Sequence, residues 1–212
     1  LGSNLLKIPD GGWLPIGLGL VLFAIMTTWR RGSELLANQV AASSATIETF
    51  LGKIAGESIA RVPGTAAFFT GRLDHAPPAL LNLMRHTGVV YERVILVSVV
   101  IEQVSKVGAE ERLEFSEIGQ GFYRVVLHYG FMQGPNVPSD LTRCAEFGLD
   151  LDMDQIHYII GQVDMLAGRK QRGMARWRDR LFALMARNTQ DATAAYHIPI
   201  AQAMSVGSQV GI

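Results

Sequence analysis

Between Gly11 and Trp29 the chain carries no charged residue, and the stretch GGWLPIGLGLVLFAIMTTW ends directly on Arg30-Arg31. As a helix rising about 1.5 Å per residue it would measure about 28 Å. That is close to the roughly 30 Å hydrocarbon core of a bilayer. Trp13 and Trp29 stand near its two ends, where indole rings favour the membrane interface. The stretch is therefore expected to be a transmembrane helix, with Trp13, Trp29, Arg30 and Arg31 at the membrane interfaces. A secretory signal would carry basic residues before its apolar run and a small-residue cleavage site after it. Here Asp10 precedes the run and two arginines close it. The stronger competitor is a helix buried in a soluble domain. Pro15, Gly17 and Gly19 lower intrinsic helicity in water and count against it, although proline is tolerated in a first turn. The positive-inside rule places Arg30, Arg31 and everything downstream in the cytoplasm.

One span cannot enclose a transport path, so the rest of the chain must be read for other chemistry. The 212 residues suffice for the span and one domain of ordinary size. Nineteen basic residues balance 19 acidic ones, which argues against a dedicated nucleic-acid binder. The single cysteine, Cys144, has no partner for an internal disulfide and fits a reducing compartment.

After the span, Ser33 to about Phe50 reads as a helix or linker. Ile47, Phe50, Leu51 and Ile54 recur at helical spacing and are expected to pack on the following domain. Arg61-Val62-Pro63-Gly64 reads as a break at which that domain begins. Thr65–Thr70 is a short strand candidate, and Pro77-Pro78 opens a helix through Arg85. Arg93–Ile101 (RVILVSVVI) is β-branched and apolar on both faces, the pattern of a central strand covered on two sides. Arg112–Ile118 and Phe122–Phe131 flank Gly119-Gln120-Gly121 and read as a hairpin. Ser139 is the expected N-cap of a helix to about Phe147. Ile156–Ile160 is a further strand, Met174–Asn188 a helix, and Ala203–Ile212 an edge strand. Helices alternating with strands predict an α/β (mixed α+β) cytoplasmic domain around a central mixed sheet, preceded by one transmembrane helix. The expected divisions are 1–31 for the last transmembrane segment, 32–60 for a helical linker and 61–212 for the cytoplasmic domain.

No catalytic constellation is legible. Asp150, Asp152 and Asp154 begin like a calcium loop, but Gln155 and Gly161 stand where such a loop needs Gly and Glu, so an acidic turn before a strand is expected. His75, His86, His128, His157 and His197 show no helical metal-site spacing. They are read as isolated residues at loops and element ends. No phosphate-binding loop and no nucleophile elbow is present. No catalytic residue, cofactor or metal ligand is assigned. The clearest remaining signal is the segment from Arg169 to Arg187. On a helical wheel Met174, Trp177, Leu181, Leu184 and Met185 form the face expected to be buried. Arg176, Arg180 and Arg187 line an adjacent stripe, with Arg169, Lys170 and Arg172 nearby. The stripe reads as a solvated surface or as a patch for anionic lipid or another anionic ligand.

Taken in order, GGWLPIGLGLVLFAIMTTWRRG (Gly11–Gly32), RVPGTAAFFT (Arg61–Thr70), PPALLNLMRH (Pro77–His86), ERVILVSV (Glu92–Val99), GFYRVVLHYGFM (Gly121–Met132) and RWRDRLFALMARN (Arg176–Asn188) resemble the C-terminal end of the Kup-type potassium uptake transporter family. The resemblance covers nearly the whole chain. It implies secondary active uptake of K⁺ with H⁺, a cell (inner) membrane location that is multi-pass in the intact protein, and no enzymatic activity. It also implies a K⁺ site among helices that this chain does not contain. The implied partners are membrane lipids, the remaining transmembrane portion, and K⁺ and H⁺ as transported ions, with a homodimer left open. Two other readings compete with it: a single-pass membrane-anchored regulatory or binding module, and a soluble α/β enzyme with a buried N-terminal helix.

Overall fold

A computed structural model of the chain describes residues 13–43, 45–56, 59–166, 175–187 and 195–211. They form two compact units. One takes in the chain as far as Gln39 together with Met165–Thr189 and Val210–Ile212, and the other takes in Val40–Asp164 and Gln190–Gln209.

In the first unit, helix α1 runs from Trp13 to Ser43 without a break. At about 1.5 Å per residue it is longer than a bilayer core is thick. The part beginning at Trp13 is long and apolar enough to cross a membrane, and almost none of that part is covered by protein. Leu14, Leu18, Leu20, Phe23 and Met26 all stand mostly exposed around the helix. A buried helix of a soluble domain would have covered them, so the structure counts against that alternative. Helix α5, Arg176–Arg187, belongs to the same unit.

The second unit is built on strands β1 (Ala60–Phe69), β2 (Val89–Glu102), β3 (Leu113–Gly119), β4 (Phe122–Gly130), β5 (Ile156–Leu166) and β6 (Ala203–Gly211). They lie in the order β3-β4-β2-β1-β5-β6. β1 pairs parallel with both β2 and β5, β2 pairs parallel with β4, and β3 pairs antiparallel with β4. The sheet is mixed, and β2, which contains RVILVSVVI, lies inside it.

Strand side chains alternate between faces, so each central strand supplies two cores. On one face Ala66, Phe68, Val94, Leu96, Phe122 and Ile159 meet Ile47, Phe50, Leu51 and Ile54 of helix α2 (Ile47–Gly56). Ala79 and Leu80 of helix α3 (Pro78–Thr87) join them. On the other face Ala67, Ile95, Val97, Val125, Leu127, Tyr129 and Tyr158 meet Val137 and Leu141 of the short helix α4 (Val137–Leu141), with Cys144, Leu149 and Leu151 beyond it. The apolar period of Ile47–Ile54 thus does pack on the sheet, as its spacing predicts.

Two local expectations need correction. Arg61–Gly64 is not a break but part of β1, which carries a register shift between Val62 and Thr65. Pairing with β5 starts only at Thr65. Pro63 therefore stands where β1 has a single partner, and its missing N–H disrupts no second ladder. The helix after β4 is capped not by Ser139 but by Asn136, whose side chain accepts the Ser139 N–H at 3.2 Å. It continues as a 3₁₀ helix, Thr142–Phe147. The hairpin expected at Gly119-Gln120-Gly121 is present, with all three residues at positive φ, and Gly121 lies so close to the Glu92 carbonyl that a side chain has no room.

Candidate membrane-interface site

The charge-free stretch of α1 ends at Trp29, and Arg30 and Arg31 project outward beyond it, both paired with Glu34 one turn on. Trp13, at the opposite end of the stretch, is exposed. All four residues therefore lie at the two ends of the apolar part of α1. The described part of this helix carries no ionisable side chain before Arg30.

Helix α5 packs on α1 at this same end. Phe182 is buried and its ring lies 5.4 Å, centroid to centroid, from that of Trp29. It also rests on Gly32, where an added Cβ would overlap the ring atoms. Arg178 donates from Nε to the Thr28 hydroxyl at 3.0 Å, and Thr28 has no exposed surface. A glycine socket, an aromatic neighbour and one charge-assisted hydrogen bond thus hold α5 against the span within about one helical turn of Trp29.

This packing overturns the wheel expected for α5. Phe182 and Ala183 are the buried residues, whereas Trp177 and Leu184 are 58% and 63% exposed. Leu181 and Met185 are half-buried, and Met174 lies outside the described residues. The reason is local. Gly32 offers a cavity that fits an aromatic ring, and Thr28 offers an acceptor to Arg178, so the face carrying those two residues wins over the face with the larger summed hydrophobicity. Arg176 and Arg180 are exposed, on the half of the helix that also carries Trp177 and Leu184. Arg187 closes the helix, but its side chain lies outside the described residues, as do Arg169, Lys170 and Arg172. Sequence reasoning missed Thr28, Gly32, Arg178 and Phe182. The only signal in the chain is a small residue directly after Arg30-Arg31.

Among the described residues no group of three or more His, Cys, Asp and Glu side chains is placed to hold a metal ion. Burial pushes the Cys144 thiol up to about 11 and the Tyr158 phenol up to about 12, so neither is a ready nucleophile at neutral pH. Asp152 accepts from the Asp154 N–H and caps a 3₁₀ turn before β5. His128 lies inside β4, not at an element end, with Nδ1 2.8 Å from Glu102 and Nε2 3.8 Å from Glu114. A buried network joins Tyr129, whose hydroxyl donates to Asp140 at 2.5 Å, with Arg112, 3.5 Å from the same carboxylate. Burial and the Asp140 carboxylate raise the Tyr129 pKa well above its usual value. These contacts tie α4 to β4.

The profile of the K⁺ potassium transporter C-terminal domain matches residues 63–212, and that of the K⁺ potassium transporter integral membrane domain matches residues 1–34. The chain is 42% identical over its whole length to a protein of Geobacter sulfurreducens named "Probable potassium transport system protein Kup 1", of which it covers 33%. It is 43% identical, over 98% of its length, to the "Probable potassium transport system protein Kup" of Nitrosomonas eutropha, of which it covers 32%. A protein of the same name from Myxococcus xanthus is 42% identical over 99% of the chain and 32% covered. The chain spans about a third of the length of these relatives. No solved structure matches it.

Proposed function

This chain belongs to the Kup-type potassium transporter family, and from that premise we propose that it supplies the last span and a regulatory cytoplasmic domain of a secondary active potassium uptake system working by K⁺/H⁺ symport. The observation that carries the reading is the order of the two matches: a membrane-domain match that ends on the exposed apolar helix, followed by a C-terminal-domain match across the sheet unit. In this reading the ions move among transmembrane helices outside the chain. The span here has no ionisable group and no enclosed polar path, and backbone in lipid must satisfy its hydrogen bonds internally. Arg30 and Arg31 orient the span with the sheet unit in the cytoplasm, at the inner membrane.

The test is growth of an uptake-deficient bacterium at limiting K⁺. The chain expressed alone is expected to give no rescue, and rescue by it would overturn the proposal. A chimera in which this chain replaces the corresponding third of the Geobacter relative is expected to restore growth and to take up K⁺ with acidification of the cytoplasm. A chimera that reaches the membrane and takes up no K⁺ counts against the reading. Uptake without proton entry removes the symport part alone. A fluorescent protein fused after Ile212 should be bright and a secreted phosphatase fused there inactive; the reverse pattern would invert the orientation.

A further inference from the structure

We propose that α5 is an interfacial helix: held on the span by Phe182 and Arg178, it inserts Trp177 and Leu184 at the acyl-chain boundary and sets Arg176 and Arg180 against anionic headgroups of the same leaflet. The proposal rests on α1 being a membrane span.

Three observations converge on a lipid occupant. The first is height. Phe182 sits on Gly32 and beside Trp29, and Arg178 is bonded to Thr28, so α5 is fixed at the turn where the charge-free part of α1 gives way to Arg30-Arg31. That is the level of the headgroups when the apolar part fills the hydrocarbon core. The second is the uncovered face. Trp177 and Leu184 are seven positions apart, two helical turns, and lie on one stripe with half-buried Leu181 between them. Among the described residues, Trp177 and Leu184 both keep more than half of their surface open. Tryptophan at this depth is favoured because its ring is apolar and its N–H remains able to reach a polar partner. The third is charge. Arg176 and Arg180 flank that stripe on the exposed half of the helix, one turn apart, and complement a leaflet of anionic lipid. A helix seated on another transmembrane helix would not need two exposed arginines beside its apolar contact.

The three tryptophans of the chain make the test direct. The full chain is reconstituted in lipid nanodiscs as two single-tryptophan variants: Trp13→Phe with Trp29→Phe, leaving Trp177, and Trp13→Phe with Trp177→Phe, leaving Trp29. Phenylalanine at position 29 keeps a ring against Phe182. Emission is read in membranes whose lipids carry bromine at a shallow or at a mid-bilayer position. Trp177 is expected to emit to the blue of the urea-unfolded chain and to lose about half its intensity to the shallow quencher, with little loss to the deep one, as an interfacial helix would. If Trp29 is quenched by lipid and Trp177 is not, the interfacial helix is overturned while the span stands. That holds whether Trp177 is then open to iodide or shielded by protein. If neither is quenched, the span reading fails as well. The headgroup half is tested separately with Arg176→Gln and Arg180→Gln together. Shallow quenching of Trp177 in membranes containing phosphatidylglycerol should become weaker and lose its salt dependence. Identical quenching at low and high salt in the parent and in this variant would remove the arginines from the proposal.

Discussion

Val97 in β2 and Leu20 in α1 are both aliphatic residues within long apolar runs, yet Val97 has no exposed surface and Leu20 is 64% exposed. The sheet unit covers its own apolar strands: α2 and α3 close one face, α4 and the segment after it the other. In the helical unit, α1 leaves the apolar side chains before Trp29 mostly outward and receives α5 at Thr28, Trp29 and Gly32. The difference teaches that an apolar run reports only a preference for a non-aqueous neighbour. Whether that neighbour is protein or lipid depends on what the rest of the chain brings to it. A two-residue period matched by helices on both sides brings protein, while an isolated helix of bilayer length brings none.

The comparison breaks most visibly at Val97. Val97→Asp buries a carboxylate with no partner in a fully covered strand and should destabilise the sheet unit by about 4 kcal/mol or more. Hydrogen exchange of the full chain in detergent should show β2 and its neighbours losing protection while α1 keeps its own. Unchanged exchange in β2 would mean that this strand is not the centre of the core. Leu20→Asp, in contrast, should leave the sheet untouched and impair only membrane insertion.

A smaller effect is expected at Asp140. Asp140→Ala strands the Tyr129 hydroxyl and leaves the half-buried Arg112 without its partner. About 2–3 kcal/mol should be lost, read as a lower urea midpoint of the sheet unit. A midpoint within experimental error of the parent would show that water replaces the network.

In the helical unit, Gly32→Val should push Phe182 from its socket at a cost of about 1–3 kcal/mol to that packing alone. Arg178→Ala should cost about 1 kcal/mol for the lost bond to Thr28. Limited proteolysis within Arg176–Arg187 should speed up in both variants, more in the first, with the sheet unit equally resistant. Faster cleavage of the sheet in the same variants would show that the two units do not respond independently.

The slightest effect concerns pH. Burial raises the Cys144 thiol from an ordinary 9.0 to about 11, so the folded state holds its proton longer than the unfolded state does. The stabilisation is therefore complete below about pH 9 and is lost as pH rises toward 11. The urea midpoint should fall over that window, and Cys144→Ala should flatten part of the fall. Tyr158, pushed up to about 12, extends the decline to higher pH. Equal slopes with and without the thiol would mean that Cys144 is not shielded from water.

Much of this molecule was legible without coordinates because its elements are governed by neighbours close in sequence. The charge-free run closed by Arg30-Arg31 marked α1, the alternation of Val94, Ile95, Leu96 and Val97 marked a strand covered twice, and Gly119-Gln120-Gly121 marked the turn between β3 and β4. Each is a property of a few adjacent residues, so periodicity and turn chemistry suffice. Other features depend on residues brought together from far apart. The β3-β4-β2-β1-β5-β6 order, the bulge that keeps Pro63 inside β1, and the joining of Arg112, Tyr129 and Asp140 leave no local pattern. The clearest case is α5. Its wheel has two apolar directions, and the sequence alone selects the one carrying Trp177 and Leu184 because it assumes water everywhere outside. Only the tertiary structure shows Phe182 turned to Gly32 and Arg178 to Thr28, a choice made by the shape and hydrogen-bonding capacity of a helix some 150 residues earlier in the chain.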